Sequence, residues 1–162
     1  MLIDVTSFTS GPRQIENAVA TPKSPNQTAV AERINGFIDC YQPVFLRMAV
    51  GYDLANVIDA YSRFDHNEPD EKKEKLIALL REPFADYVFF YILRVMNVQS
   101  TITGLVQLKS VNSYVSPFEQ GVLTWNRMTE GMKLFAEEVA MLGVNDVAID
   151  KDLLTCINNL NL

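Results

Sequence analysis

Residues 82–98 read EPFADYVFFYILRVMNV. From Phe84 to Val98 the apolar side chains fall almost all round a helical wheel, which places this segment at the centre of a helical bundle. The run is shorter than the roughly 20 residues a bilayer span needs, and it carries Asp86 and Arg94. Pro83 suits a first helical position, so the sequence predicts a helix opening there. Just upstream, Leu76, Ile77, Leu79 and Leu80 give a preceding helix its apolar side, and Phe64–Lys75 (FDHNEPDEKKEK) reads as a solvated loop running into it. Downstream, Ser100–Ser116 (STITGLVQLKSVNSYVS) has β-branched residues, some alternation, Gly104 and no helical period. It reads as a long loop or an irregular hairpin, a length that in compact domains often carries function.

Beyond that loop, Ser116-Pro117-Phe118-Glu119 forms a complete capping box. Phe118, Val122, Trp125, Thr129, Met132, Phe135, Val139 and Leu142 then follow one helical face, which predicts a long helix ending at Gly143. Trp125 and Phe90 are expected in the core. Toward the N-terminus, Ser24-Pro25-Asn26-Gln27 is a second helix start, followed by Val30, Ile34, Phe37, Tyr41, Val44, Phe45 and Met48 at helical spacing. Pro43 lacks an N–H and predicts a kink or break near Cys40–Gln42. Gly51 is a plausible stop, and Leu54, Val57, Ile58 and Tyr61 mark a short helix after it. Asp150 is positioned to cap a final short helix, Lys151 to Asn158. Leu2–Thr6 suits a short strand, and the rest of Met1–Lys23, with Gly11-Pro12 and Thr21-Pro22, reads as an extended arm.

The fold class expected is therefore all-α: an irregular bundle of about five or six helices. Residues 1–23 form the arm and 24–162 a single helical domain. A chain of 162 residues, 48% apolar and 21% charged, has enough material for one core. Fourteen Lys and Arg against 20 Asp and Glu leave a net charge of −6, which disfavours a general nucleic-acid or anionic-membrane surface. Cys40 and Cys156 are far apart with no CxxC pair, as expected of a reducing compartment, although one long-range disulfide stays open. The N-terminus has no basic region followed by an apolar run, so no signal peptide is read.

The search for chemistry returns little. His66 lies among Asp65, Asn67, Glu68, Asp70 and Glu71, but calcium loops need a turn glycine that this stretch lacks, so a solvated charged loop is the reading. Cys40 sits within a helical apolar pattern, where free cysteine behaves as a small hydrophobe. No GxSxG, P-loop, GxGxxG or HExxH pattern is present. One histidine cannot build the paired Glu-x-x-His set of a bundle metal site. Phe84, Tyr87, Phe89, Phe90 and Tyr91 can line a ligand cavity, but core packing accounts for them. Neither catalytic residues nor a cofactor or metal is expected.

The order of segments resembles the small helical head–tail connector (adaptor) proteins of tailed phages and prophages of Bacteroidetes hosts. The matching pieces are INGFIDCYQPVFLRMAVGYDL (34–54), REPFADYVFFYILR (81–94), STITGLV (100–106) and NSYVSPFEQGVLTWNRM (112–128), about two-thirds of the chain. Gln42 stands where that group usually has Glu before the proline, and Met48-Ala49-Val50-Gly51 where Leu-Leu-Gly is usual. The resemblance implies a non-catalytic structural protein of the particle. Its subunits would assemble into a ring beneath the portal, with DNA passing through and no specific nucleic-acid binding. The location implied is the bacterial host cytoplasm, then the virion, with no membrane partner. An acidic lumen offers no Lys/Arg contacts to hold the DNA. The alternative is a helical binding module or small regulator with a partner or ligand pocket between its helices.

Partner contacts are expected on the two aperiodic segments. On the arm these are Ile3, Val5, Phe8 and Arg13. On the 100–116 segment they are Thr101, Ile102, Thr103, Gly104, Val106, Asn112 and Tyr114. Exposed β-branched and aromatic residues in such segments can add to a neighbour's sheet edge.

Overall fold

The computed structural model describes residues 1–96, 98–101, 104–107, 117–144 and 146–157. Four α-helices carry the fold: α1 (Pro25–Val50), α2 (Tyr52–Ser62), α3 (Glu71–Met96) and α4 (Pro117–Met141). Two short strands, β1 (Val98–Thr101) and β2 (Gly104–Gln107), pair antiparallel after α3. The all-α class therefore stands, with four α-helices among the described residues where five or six were expected.

The difference comes from the two prolines. Pro83 is expected to open a helix and Pro43 to kink or break one, and both lie inside continuous helices. An interior proline costs ~3 kcal/mol, a penalty set by local backbone. Beyond Pro43, however, α1 buries Phe45, Leu46, Ala49 and Val50 completely. Each large side chain gains about 1.5–3 kcal/mol by burial, so packing outweighs the lost hydrogen bond. In α3 the same holds for Leu80 and Phe84 on either side of Pro83. The Pro83 ring also fits against α4 at Gly131, where a Cβ would meet Pro83 Cγ at 2.8 Å. Gly131→Ala should therefore cost about 1–3 kcal/mol by overpacking. Urea unfolding measures it, and a change under about 0.5 kcal/mol, as at surface sites, would show that the α3–α4 contact yields freely.

The helix starts follow the expected chemistry. Ser24 Oγ accepts from Gln27 N–H at 3.3 Å, and Gln27 Oε1 accepts from Lys23 N–H at 2.8 Å. Asp70 Oδ1 accepts from Lys72 and Lys73 N–H at the start of α3. Ser116 lies outside the described residues. Gly51, at φ +85°, closes α1 and opens α2. The chain after α4 returns there: Asp150 N–H donates to Met48 O at 2.7 Å and Ala148 N–H to Val50 O at 3.5 Å. Carbonyls at the end of α1 are thus satisfied from far along the sequence. Asp150 caps a single 3-10 turn, Lys151–Leu154, in place of the longer helix expected, and Asn158 lies outside the described residues.

On α4 the expected face holds for Val122, Thr129, Met132, Phe135 and Val139, which are buried, while Trp125 packs partly buried at the edge of the core. Phe118 departs from it and is exposed. Phe90 is buried. The arm departs most. Residues 1–18 fold onto the helices through two 3-10 turns, Val5–Phe8 and Gly11–Arg13, with no strand at Leu2–Thr6. Leu2, Ile3, Val5, Phe8, Ile15 and Ala18 are all buried in the same apolar core as Phe45 and Phe135.

Candidate functional site

The expected partner residues separate into four groups. Ile3, Val5 and Phe8 are core residues, which corrects their reading as an exposed surface. Their side chains lack helical period because Ile3 lies on irregular chain and Val5 and Phe8 on a 3-10 turn, yet all three are buried. Thr101, Gly104 and Val106 lie on the β1–β2 hairpin, where Thr101 pairs with Gly104 and Gln99 with Val106. Ile102, Thr103, Asn112 and Tyr114 lie outside the described residues. Arg13, finally, belongs to a charge cluster around buried Asp86.

That cluster centres on Asp86, whose side chain is 4% exposed. Arg13 Nη1 donates to Asp86 Oδ1 at 2.8 Å, and its Nη2 donates to Glu82 Oε2 at 2.6 Å. From the opposite side Arg127 donates through Nε to Asp86 Oδ2 at 2.7 Å and through Nη2 to Oδ1. Burial works against the Arg13 charge, but its hydrogen bonds to the Asp86 and Glu82 carboxylates outweigh it and push its pKa above the ordinary value. Arg13 Nε is buried without a partner among the described residues. Both carboxylate oxygens of Asp86 are therefore held by guanidinium donors from the N-terminal segment and from α4. The arrangement clamps three elements together and leaves the carboxylate committed to them. The sequence carried one signal for it, an acidic residue inside an otherwise apolar helix.

A second polar cluster ties the N-terminus to α1 and α2. Gln42, fully buried, accepts from Leu2 N–H at 2.8 Å through Oε1 and donates through Nε2 to Asp59 Oδ1 at 2.6 Å. Arg63 donates to both Asp59 oxygens at 2.9 and 3.1 Å. Burial raises the Asp59 pKa, but the Arg63 guanidinium and the Gln42 amide prevail and hold it below the ordinary value. A depressed folded-state pKa stabilises the fold above the unfolded carboxylate pKa of about 3.9 and loses that contribution as pH falls through the folded value. The urea midpoint should thus fall below about pH 4, with a smaller fall in Asp59→Asn. Identical profiles for the two proteins would remove Asp59 as a source.

The aromatic run packs on itself. Tyr41 stacks on Tyr91 with centroids 4.3 Å apart, and Phe90 lies 4.9 Å from Trp125. Tyr87 is buried among them, and burial drives its hydroxyl pKa far above the ordinary value. An apolar cleft does occur elsewhere, lined by Ile15, Val30, Ile34, Phe37 and Ile92 with Glu16 and Arg33 at its rim. Cys40 is exposed on α1, against the expectation of a small buried hydrophobe, and Cys156 is exposed and free. His66 stacks on Tyr61 at 3.8 Å, and its Nε2 lies 2.9 Å from Tyr61 O.

Among the described residues, no group of three or more His, Cys, Asp or Glu side chains is placed to hold a metal ion. No helix among them is long and apolar enough to cross a membrane. Comparison with protein-family models, with curated proteins and with solved structures gave no match.

Proposed function

We propose that this chain is a non-catalytic structural subunit of a phage or prophage particle, a ring-forming head–tail connector that meets the portal protein. The resemblance across segments 34–54, 81–94, 100–106 and 112–128 supports the reading. The observation that carries it is the β1–β2 hairpin, whose main contact with the helical body is through α3. Among the described residues the sheet has two strands, and a neighbouring subunit can extend the outer edge of such a sheet. The clusters around buried Asp86 and buried Gln42 support a structural role as well, because their polar groups are used to fasten the N-terminal segment to the helices. An acidic ring would let DNA pass without retaining it.

Replacing residues 98–107 with a short Gly-Ser linker should abolish rings in electron micrographs of the chain co-expressed with the portal protein of its own genome. The thermal melt of the helical body should hardly move. Rings that persist without the hairpin would overturn its role in assembly. A chain that never enters a particle would overturn the connector reading.

The apolar cleft beside Arg33 favours a second reading, a binding module for a small amphiphile. A rise in melting temperature with a fatty-acid-like ligand, lost in Phe37→Asp, is the result that reading requires.

A further inference from the structure

The face of α4 that points away from the core is not uniformly polar. Leu123, Arg127, Glu130, Leu134, Glu137 and Met141 recur at alternating spacings of four and three. That spacing lays them in one stripe along a helix. The stripe lies opposite the buried row of Met128, Met132, Phe135 and Val139. Its apolar members are unusually open: Leu123 is 66% exposed, Leu134 62% and Met141 73%. Single exposed apolar side chains need no explanation, but three aligned on one seam are a candidate contact.

We infer that α4 pairs antiparallel with the α4 of a second copy of this chain, about a two-fold axis level with Met132. The register decides the occupant. An antiparallel seam sets each position of one four-three pair against the other kind on its partner. In this register Leu123 of one copy faces Met141 of the other, and Leu134 faces Glu130. Arg127 faces Glu137, so opposite charges meet on both sides of the axis. Asp86 occupies Nε and Nη2 of Arg127 and leaves Nη1 outside that pair. Lys133, close to the axis, is already neutralised by Glu130 at 2.7 Å. A parallel pairing would set Arg127 on Arg127 and Glu137 on Glu137, with like charges in contact. The sequence of the stripe therefore selects an antiparallel copy of itself.

This contact goes beyond ring formation and does not depend on it. A two-fold interface uses one patch on both partners and closes at two copies, whereas a ring requires a head-to-tail contact elsewhere. Only part of the seam is apolar, so the dimer belongs to the weak, concentration-dependent class.

Sedimentation equilibrium of the full chain tests it. The weight-average mass should climb from 18.3 kDa toward twice that value as concentration rises. Leu134→Glu should hold it at 18.3 kDa with the thermal melt unchanged, because the side chain is exposed in the free subunit. Glu137→Arg should weaken association about tenfold or more by opposing Arg127. In a Cys40→Ser, Cys156→Ser background, Leu123→Cys with Met141→Cys should give a disulfide-linked dimer on oxidation, and Leu123→Cys alone should not. A wild-type mass of 18.3 kDa at every concentration would mean the stripe serves another partner and would overturn the inference. So would a dimer indifferent to Leu134→Glu. Rings formed by Leu134→Glu with portal protein would leave the connector reading standing whatever becomes of the dimer.

Discussion

Asp86→Ala should destabilise the protein by about 3–5 kcal/mol, the range found when one partner is removed from a buried ion pair. The loss of attraction is the smaller part of that cost. Arg13 has a side chain only 14% exposed, and its guanidinium would remain in place with Glu82 as its remaining carboxylate. Arg127, at 42% exposed, can turn toward water and recover part of its hydration. The asymmetry predicts an order. Arg127→Ala should cost less than Asp86→Ala, because Asp86 keeps Arg13 and an exposed guanidinium is lost. Arg13→Ala should fall between them, since Asp86 retains both bonds from Arg127 but the N-terminal segment loses its anchor to α3. Urea titrations of the three variants measure the order. A value for Asp86→Ala within about 0.5 kcal/mol of wild type, as at an ordinary surface site, would show that the carboxylate is dispensable. Against a typical total stability of roughly 5–15 kcal/mol, the expected loss is large enough to populate the unfolded state.

The residues that made the helices legible are those whose physics is local. Ser24 and Pro25 announce the start of α1, and the buried row from Val122 to Val139 announces the inward face of α4. Both depend on neighbours within one or two turns. Pro43 and Pro83 misled for the complementary reason. Their cost is local and visible in the sequence, while the burial of Phe45, Leu46 and Phe84 that outweighs it depends on which helices pack together. The Asp86 clamp joins residues separated by 73 and 41 positions, so its one local sign is an aspartate among aromatics. Of the expected partner surface, Ser100, Thr101 and Gly104–Gln107 of the hairpin fall within the Ser100–Ser116 segment read as aperiodic, while Val98, read as the end of the preceding helix, opens β1. The burial of the N-terminal segment was not anticipated, because 3-10 turns and irregular chain bury side chains without the 3.6-residue repeat that signals burial in a helix.

That misreading sets up the second large effect. An extended arm would be separable from the helical body, and losing its first ten residues would leave the melt untouched. The structure requires the opposite. Phe8 is fully buried, its ring 6.5 Å from that of Phe89 in α3, and Leu2, Ile3 and Val5 lie in the same core. Phe8→Ala should cost about 3–5 kcal/mol, combining lost burial with the cavity left behind. The turn around Phe8 is fixed at both ends. Asp4 Oδ1 accepts from Thr6 N–H at 2.8 Å, and Ile15 N–H returns to Phe8 O at 2.9 Å. Collapse of the site around a smaller side chain would have to break these bonds, which argues for the upper part of the range. Deleting residues 1–10 removes four core side chains together with the backbone N–H of Leu2 that Gln42 receives. The buried Gln42 amide oxygen would then lose its partner, a further cost of about 1–3 kcal/mol. The truncated chain should therefore unfold at markedly lower urea and temperature, and its amides in α1 and α3 should exchange faster. If it melts like the full-length protein, the N-terminal segment is an arm after all and the core closes without it.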